Sequence, residues 1–310
     1  MRRTGKAAAL AVAALCCALL AGLVGCSSEE DGRPTVVVTT NILGDLTRNV
    51  VGDEAEVRVL MKPNADPHSF GVSAAEAAEI EDADLVVYNG LGLEENVLRH
   101  VEAAREAGVP TLGVGSAVDP LTYASDESAG QKDPHFWTDP YRVKKAVGLI
   151  GDKVRKEVDG VDRKAVDGQA TAYGKKIERL GDRMRETFDA IPRNRRNLVT
   201  NHHVFGYLAE RFDLRVVGAV IPSGTTLASP SAADLKSLTR AIEKSRVKAV
   251  FVDSSQPDRL ARVLKRESDV DVAVLPLFSE SLTEKGKGAA TYLQMMRSNT
   301  ATLERGLTRS

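Results

Sequence analysis

Short runs of β-branched and aliphatic residues alternate with amphipathic stretches along most of this chain. Thr35-Val36-Val37-Val38-Thr39-Thr40 predicts a strand, and Asn41 to Val51 behind it predicts an amphipathic helix. Glu56 to Met61 alternates polar and apolar positions, as a strand does. Ala74 to Ala83 predicts a helix, Asp84 to Tyr88 a strand, and Leu93 to Ala107 a further helix. Strand and helix in turn are the signature of a parallel sheet covered by helices.

The pattern changes from Tyr141 to about Ile191, where no strand is apparent. Asp162 to Asp189 is highly charged, with Val166, Ala170, Tyr173, Ile177, Leu180, Met184 and Phe188 at helical spacing. One helix of that length would reach ~40 Å at ~1.5 Å per residue. Gly168, Gly174 and Gly181 interrupt it, and two ordinary helices are the alternative. Alternation resumes with strands at Asn197 to Thr200, Leu214 to Ile221, Val247 to Val252 and Asp271 to Leu277. Helices are expected at Val204 to Arg211, Ser231 to Ser245 and Ala289 to Leu307. The fold class read from this is α/β: two lobes, each a mainly parallel sheet flanked by helices, joined by a single long backbone helix. The division expected is an N-terminal lobe over residues 35–160, a linking helix over 161–191 and a C-terminal lobe over 192–310.

Ahead of the first strand lies a different kind of sequence. Arg2, Arg3 and Lys6 precede an apolar run from Ala7 to Val24, and Leu23-Val24-Gly25-Cys26 resembles a lipobox. On that reading residues 1–25 are a signal peptide, Cys26 is lipidated, and residues 26–34 are a polar tether. A plain secretory signal and a retained membrane anchor are the alternatives. The cysteine usage fits the lipoprotein reading. Of three cysteines, Cys16 and Cys17 would be discarded and Cys26 acylated, leaving no thiolate for a metal site or for catalysis. Processing removes three basic residues and no acidic one, which takes the net charge from −1 to about −4. Nothing here suits a nucleic acid partner, which needs a basic face.

The candidate chemistry rests on histidines, of which there are five. His68 lies in Asp66-Pro67-His68, in a loop just after a strand. His135 lies in Asp133-Pro134-His135-Phe136-Trp137, another Pro-punctuated loop, and His202 follows the strand at Asn197 almost directly, at the start of a helix. In open α/β sheets ligands bind beyond the carboxyl ends of strands. The three stand 67 residues apart in succession, so the fold alone must assemble any common site. Neutral imidazoles suit zinc and other first-row metals, and a fourth donor is to be sought in the last lobe, where Glu280 follows the final strand. The two Asp-Pro pairs read equally as turn chemistry. His100 reads as a surface residue, and His203, beside His202 on a helix, would point roughly 100° away from it.

Taken together, Asp66-Pro67-His68, the stretch Asp133 to Pro140, and Val199-Thr200-Asn201-His202-His203-Val204-Phe205-Gly206-Tyr207 resemble the ligand motifs of a known group. That group is the zinc- and manganese-binding (cluster 9) solute-binding proteins of ABC transporters. Val250-Phe251-Val252-Asp253-Ser254-Ser255 and the segment Leu277 to Met296 are similar to it too, so the likeness runs from about Val36 to Leu307. The resemblance implies metal ligands at His68, His135, His202 and Glu280. It departs from the family at Glu280, where Asp is commoner, and at His203, where many relatives carry Asp or Gly. The loop from Tyr123 to Lys132, with Asp126 and Glu127, lacks the histidines some zinc members carry there.

The function so implied is capture of Zn²⁺, with Mn²⁺ as the alternative, by a lipid-anchored monomer on the extracytoplasmic face of the membrane. Delivery would be to an ABC transporter permease. A zinc hydrolase, with Glu280 as general base, is the competing reading, and an adhesin role is neither supported nor opposed. A long central helix would restrain lobe closure, leaving the segment Ile221 to Leu227 as the expected mobile loop. Histidine ligation also predicts that affinity falls below pH ~6.5.

Overall fold

Valine-rich strands set up both lobes. The computed structural model describes residues 32–124, 128–256, 259–267 and 271–309. β1 (Thr35–Val38) lies between β2 (Glu56–Val59) and β3 (Leu85–Tyr88), with β4 (Thr111–Gly113) outside β3, and all four are parallel. The strands are covered on both faces. Val36 and Val38 point into one hydrophobic cluster, while Val37 points into another with Val86, Ile80, Val97 and Val101. The helices are α1 (Asn41–Val51), α2 (Ala74–Glu81), α3 (Glu95–Glu106) and the single turn α4 (Val114–Ala117). β4 and α4 had no counterpart in the sequence reading, because three strand residues leave too short a pattern to detect.

Two helices follow in succession, α5 (Pro140–Glu157) and α6 (Arg163–Asp189). Asp139 caps the first, accepting from the Tyr141 N–H at 2.9 Å with Pro140 in the first turn. Asp162 caps the second, accepting from the Lys164 and Ala165 N–H groups. α6 is one unbroken helix of 27 residues, and the predicted stripe is its buried face, from Val166 through Tyr173, Ile177, Leu180 and Met184 to Phe188. Its glycines serve packing: a Cβ at Gly181 would lie 3.1 Å from Pro140 and Tyr141, so its absence lets the start of α5 approach.

The second lobe repeats the first. β5 (Asn197–Thr200) lies between β6 (Arg215–Ala219) and β7 (Ala249–Asp253), with β8 (Ala273–Leu277) beyond, again all parallel. Its helices are α7 (Gly206–Phe212), α8 (Ala232–Ser245), α9 (Arg259–Glu267) and α10 (Tyr292–Leu307). Ser231 opens α8 through a reciprocal capping box with Asp234. α9 is an element the sequence reading did not assign.

The lobes are not independently cored. One cluster takes in Val36 and Leu43 from the first sheet region, Val147 and Ile150 from α5, and the buried face of α6. It continues into Leu198, Phe251, Leu277 and Met295 of the second lobe. In both sheets the order reverses at the central pair, β1/β3 and β5/β7, which is where a doubly wound sheet opens a crevice at its carboxyl ends. No helix among the described residues is long and apolar enough to cross a membrane.

Candidate metal centre

Loops leaving β2 and β8, the turn after β5, and the loop following α4 carry four side chains to one point. His68, His135, His202 and Glu280 each place a donor atom within 4.8 Å of the others, and all four are buried. The Nε2 atoms of His68 and His135 are 3.3 Å apart, and His202 Nε2 is 3.2 Å from Glu280 Oε1. Glu280 also stands 3.8 Å from His68 through Oε2 and 3.8 Å from His135 through Oε1. A tetrahedral zinc with bonds of ~2.0–2.1 Å to nitrogen needs donor separations of ~3.3 Å. Two of these contacts match that edge, and the others are about half an ångström longer.

Each imidazole is aimed by its own loop. Asp133 accepts from the His135 backbone N–H at 2.9 Å and lies 2.8 Å from its Nδ1, so that nitrogen donates and the Nε2 lone pair faces the cluster. The Tyr123 hydroxyl joins them, 3.1 Å from Asp133 and 3.0 Å from His135. Asp66 Oδ1 likewise accepts from the His68 N–H at 2.9 Å. Both Asp-Pro-His segments are therefore turns in which the aspartate bonds two residues ahead; the turn chemistry presents the histidine. His202 sits on a turn and not at the start of a helix, since α7 begins at Gly206. The Thr200 hydroxyl donates to its carbonyl at 2.8 Å.

Glu280 is held from both lobes. Ser279 donates its N–H to Asp253 at 3.2 Å and its hydroxyl to the same carboxylate. From the first lobe, Trp137 Nε1 donates to the Ser279 carbonyl at 2.8 Å. Asn41 accepts from the Leu282 N–H at 2.8 Å and donates to Ser281 Oγ at 2.7 Å. Asn41 and Tyr123 were not selected from the sequence. A position just past a strand end was the available signal for Asn41; Tyr123 had none.

The electrostatics are those of polar groups kept from water. Burial pushes Glu280 up to about 8, and the neighbouring aspartates reinforce it. Burial lowers His202 to about 4 and His68 further still, the adjacent imidazoles adding to the second effect. Burial thus favours the neutral form of these two rings and the protonated form of Glu280. Among the described residues, neither ring nitrogen of His202 and neither carboxylate oxygen of Glu280 makes a hydrogen bond; the 3.2 Å approach lacks the alignment for one. Orphaned polar atoms at full burial are expensive, and a divalent cation at the cluster would satisfy His202 Nε2 and the Glu280 carboxylate together.

The other candidates lie elsewhere. His203 turns away to a cleft of about 310 Å³ beside β6 and α8, lined also by Pro222 and Asp234, and is not part of the cluster. His100 lies on α3, next to Arg99. Cys26, Asp126 and Glu127 lie outside the described residues.

A doubly wound pair of lobes with buried histidines and a carboxylate between them is the architecture of a solute-binding protein. Residues 36–306 match the family described as ZnuA, zinc-uptake complex component A, periplasmic, and the chain belongs to that family. It is 26% identical to the metal ABC transporter substrate-binding lipoprotein SloC of Streptococcus mutans, over 96% of this chain and 98% of that protein. It is also 26% identical to the manganese ABC transporter substrate-binding lipoprotein PsaA of Streptococcus pneumoniae, over 96% and 97%. Among solved structures, the periplasmic zinc binding protein TroA from Treponema pallidum superposes with a TM-score of 0.80 at 27% identity. That match covers 90% of this chain and 100% of the other. The family is one of substrate-binding proteins and not of enzymes, which sets the hydrolase reading aside.

Proposed function

We propose that this chain is the lipid-anchored, extracytoplasmic binding protein of a metal ABC transporter. It captures Zn²⁺ through His68, His135, His202 and Glu280 and passes it to the permease. The observation that carries the reading is the convergence of three imidazoles and one carboxylate from both lobes, with polar atoms of His202 and Glu280 left without a hydrogen bond among the described residues. Relatives named for metal transport and lipoprotein anchoring agree with it. Cys26 is the proposed anchor, and residues 35–160, 161–191 and 192–310 the proposed lobe, linking helix and lobe. The protein acts as a monomer, and nucleic acid has no part in it.

The choice of metal rests on the donors, because relatives are named for zinc and for manganese at similar identity. Three nitrogens and one carboxylate oxygen suit zinc. Manganese is the second reading, favoured by one observation: both oxygens of Glu280 face the imidazoles, which allows a fifth, oxygen donor. Metal analysis of the protein purified without added metal, beside H202A, tests the proposal. About one zinc per chain, lost in the variant, is expected. Manganese in its place overturns the metal assignment, and no metal in either protein overturns the site. Unchanged processing in the presence of globomycin, which blocks lipoprotein signal peptidase, would remove the anchor.

A further inference from the structure

The four clustered residues are not equally sealed. His135 and His202 are 0% exposed and Glu280 1%, while His68 is 4% exposed. His68 lines a cleft of about 170 Å³, and the other three do not. At ~30 Å³ per water the cleft has room for a few waters beside one imidazole. One wall is the first lobe, with Leu91, Tyr123 and Ser128. The facing wall is Gly224, Thr225 and Leu227, from the 221–227 loop of the second lobe.

That loop is fastened across the cleft by polar contacts. The Gly224 N–H donates to Ser128 Oγ at 2.9 Å, spanning wall to wall. The Thr226 hydroxyl donates to Asp66 Oδ2 at 2.6 Å, and Asp66 also accepts from Gln256 at 2.9 Å. Tyr123 packs so closely on the loop that a Cβ at residue 224 would come within 2.8 Å of its ring. Leu227, at the far end of the loop, is 63% exposed. Lifting the loop breaks these two hydrogen bonds to the first lobe, together with the Ile221 N–H bond to the Asn201 carbonyl and the His203 N–H bond to the Ser223 carbonyl within the second lobe. Parting the lobes would instead split a hydrophobic core that runs through α5 and α6.

We infer that the metal enters and leaves on the His68 side, beneath the 221–227 loop, and that Ser128 and Thr226 set the rate of this exchange. They act as positioning residues for the loop, since neither belongs to the cluster of donors. The inference rests on the metal site proposed above.

Stopped-flow exchange of Zn²⁺ between the full-length protein and a fluorescent chelator tests it in the double variant S128A/T226V. Association and dissociation should both speed up by about tenfold or more, with Kd held within about threefold, because a gate lowers a barrier without changing its end states. Should the double variant misfold, S128A and T226A tested singly are expected to move in the same direction by smaller factors. Unchanged rates overturn the inference. Faster dissociation with unchanged association also overturns it, since the contacts would then be holding the loaded state and not gating it. Acceleration in H203A instead would put the route on the opposite side, beside β6 and α8. If the native protein binds no metal the underlying site fails; normal binding with unaltered exchange fails only the route.

Discussion

Asp45 and Glu280 are both buried carboxylates between the lobes of this protein, and their surroundings differ in one respect. Asp45 on α1 accepts from the Tyr292 N–H at 2.9 Å and from the Tyr173 hydroxyl at 3.1 Å, joining α1, α6 and α10. Glu280 faces three imidazoles and accepts no hydrogen bond. Burial raises both carboxyls above their ordinary range, so the raised value does not separate them. Satisfaction does. Asp45 has its partners built into the fold, whereas Glu280 has none among the described residues and lies in a donor set that could hold a cation. A titration shift marks a buried acid; an unfilled donor set marks a binding site.

Exchanging the roles experimentally should break the comparison most strongly at His202. H202A should weaken zinc binding by about a thousandfold, or ~4 kcal/mol, while shifting the melting temperature of the metal-free protein by under ~2 °C. Competition titration and calorimetry read the two effects. If stability falls as far as affinity, the cluster is structural after all.

D45A should show the converse. It leaves the Tyr292 N–H and the Tyr173 hydroxyl buried without an acceptor, at ~1–3 kcal/mol each. The melting temperature should drop by about 5–10 °C, and zinc affinity should stay within about threefold. A comparable loss of affinity would show that the two clusters act as one.

The pH dependence sharpens the contrast further. The unfolded Glu280 carboxyl ionises at the ordinary glutamate value of 4.5, the folded one at about 8. The folded state thus holds a proton that the unfolded state has lost, and the stability of the metal-free protein falls as pH rises through about 8. His202 and His68 act in the opposite sense. Their folded values lie below the ordinary 6.5, so stability falls as pH drops from there. Between pH 6.5 and 8 only the Glu280 effect operates among these three. E280Q should flatten the decline in that window, which thermal melts without metal would detect. Zinc binding to the native protein near pH 7 should release close to one proton, read from the buffer dependence of the binding enthalpy, and E280Q should release less.

The smallest effect is expected at Asp133, which touches no cargo. D133N should cut affinity about 10- to 100-fold by loosening the orientation of His135, with Asp45 and its partners undisturbed. Affinity equal to the native protein's would mean that the loop backbone alone positions the ring.

Much of this was legible in the chain. The strand at Asn197–Thr200 and the helix α1 have the limits that the hydrophobic pattern predicts, and the stripe from Val166 to Phe188 is the buried face of α6. Period and side-chain type are local properties, so they survive without knowledge of partners. β4 and α4 were missed because such short segments carry little periodicity, whereas α9 is strongly amphipathic and its pattern was there to be read. His202 was placed on a helix that begins four residues later, since Phe205 adopts no helical geometry ahead of Gly206. The histidines stood out by type and by their loops, but not their supports: Asn41, 240 residues from Ser281, has no local signal connecting them.

By itself, then, the sequence determined the two α/β halves, the long helix between them and three histidines beyond strand ends, each written in neighbouring residues. Tertiary structure alone decided that those histidines share a centre with Glu280 and that His203 does not. It also decided that the burial which raises the Glu280 carboxyl lowers His68 and His202. Donor distances and desolvation are set by which distant loops meet, and no stretch of chain encodes that meeting on its own.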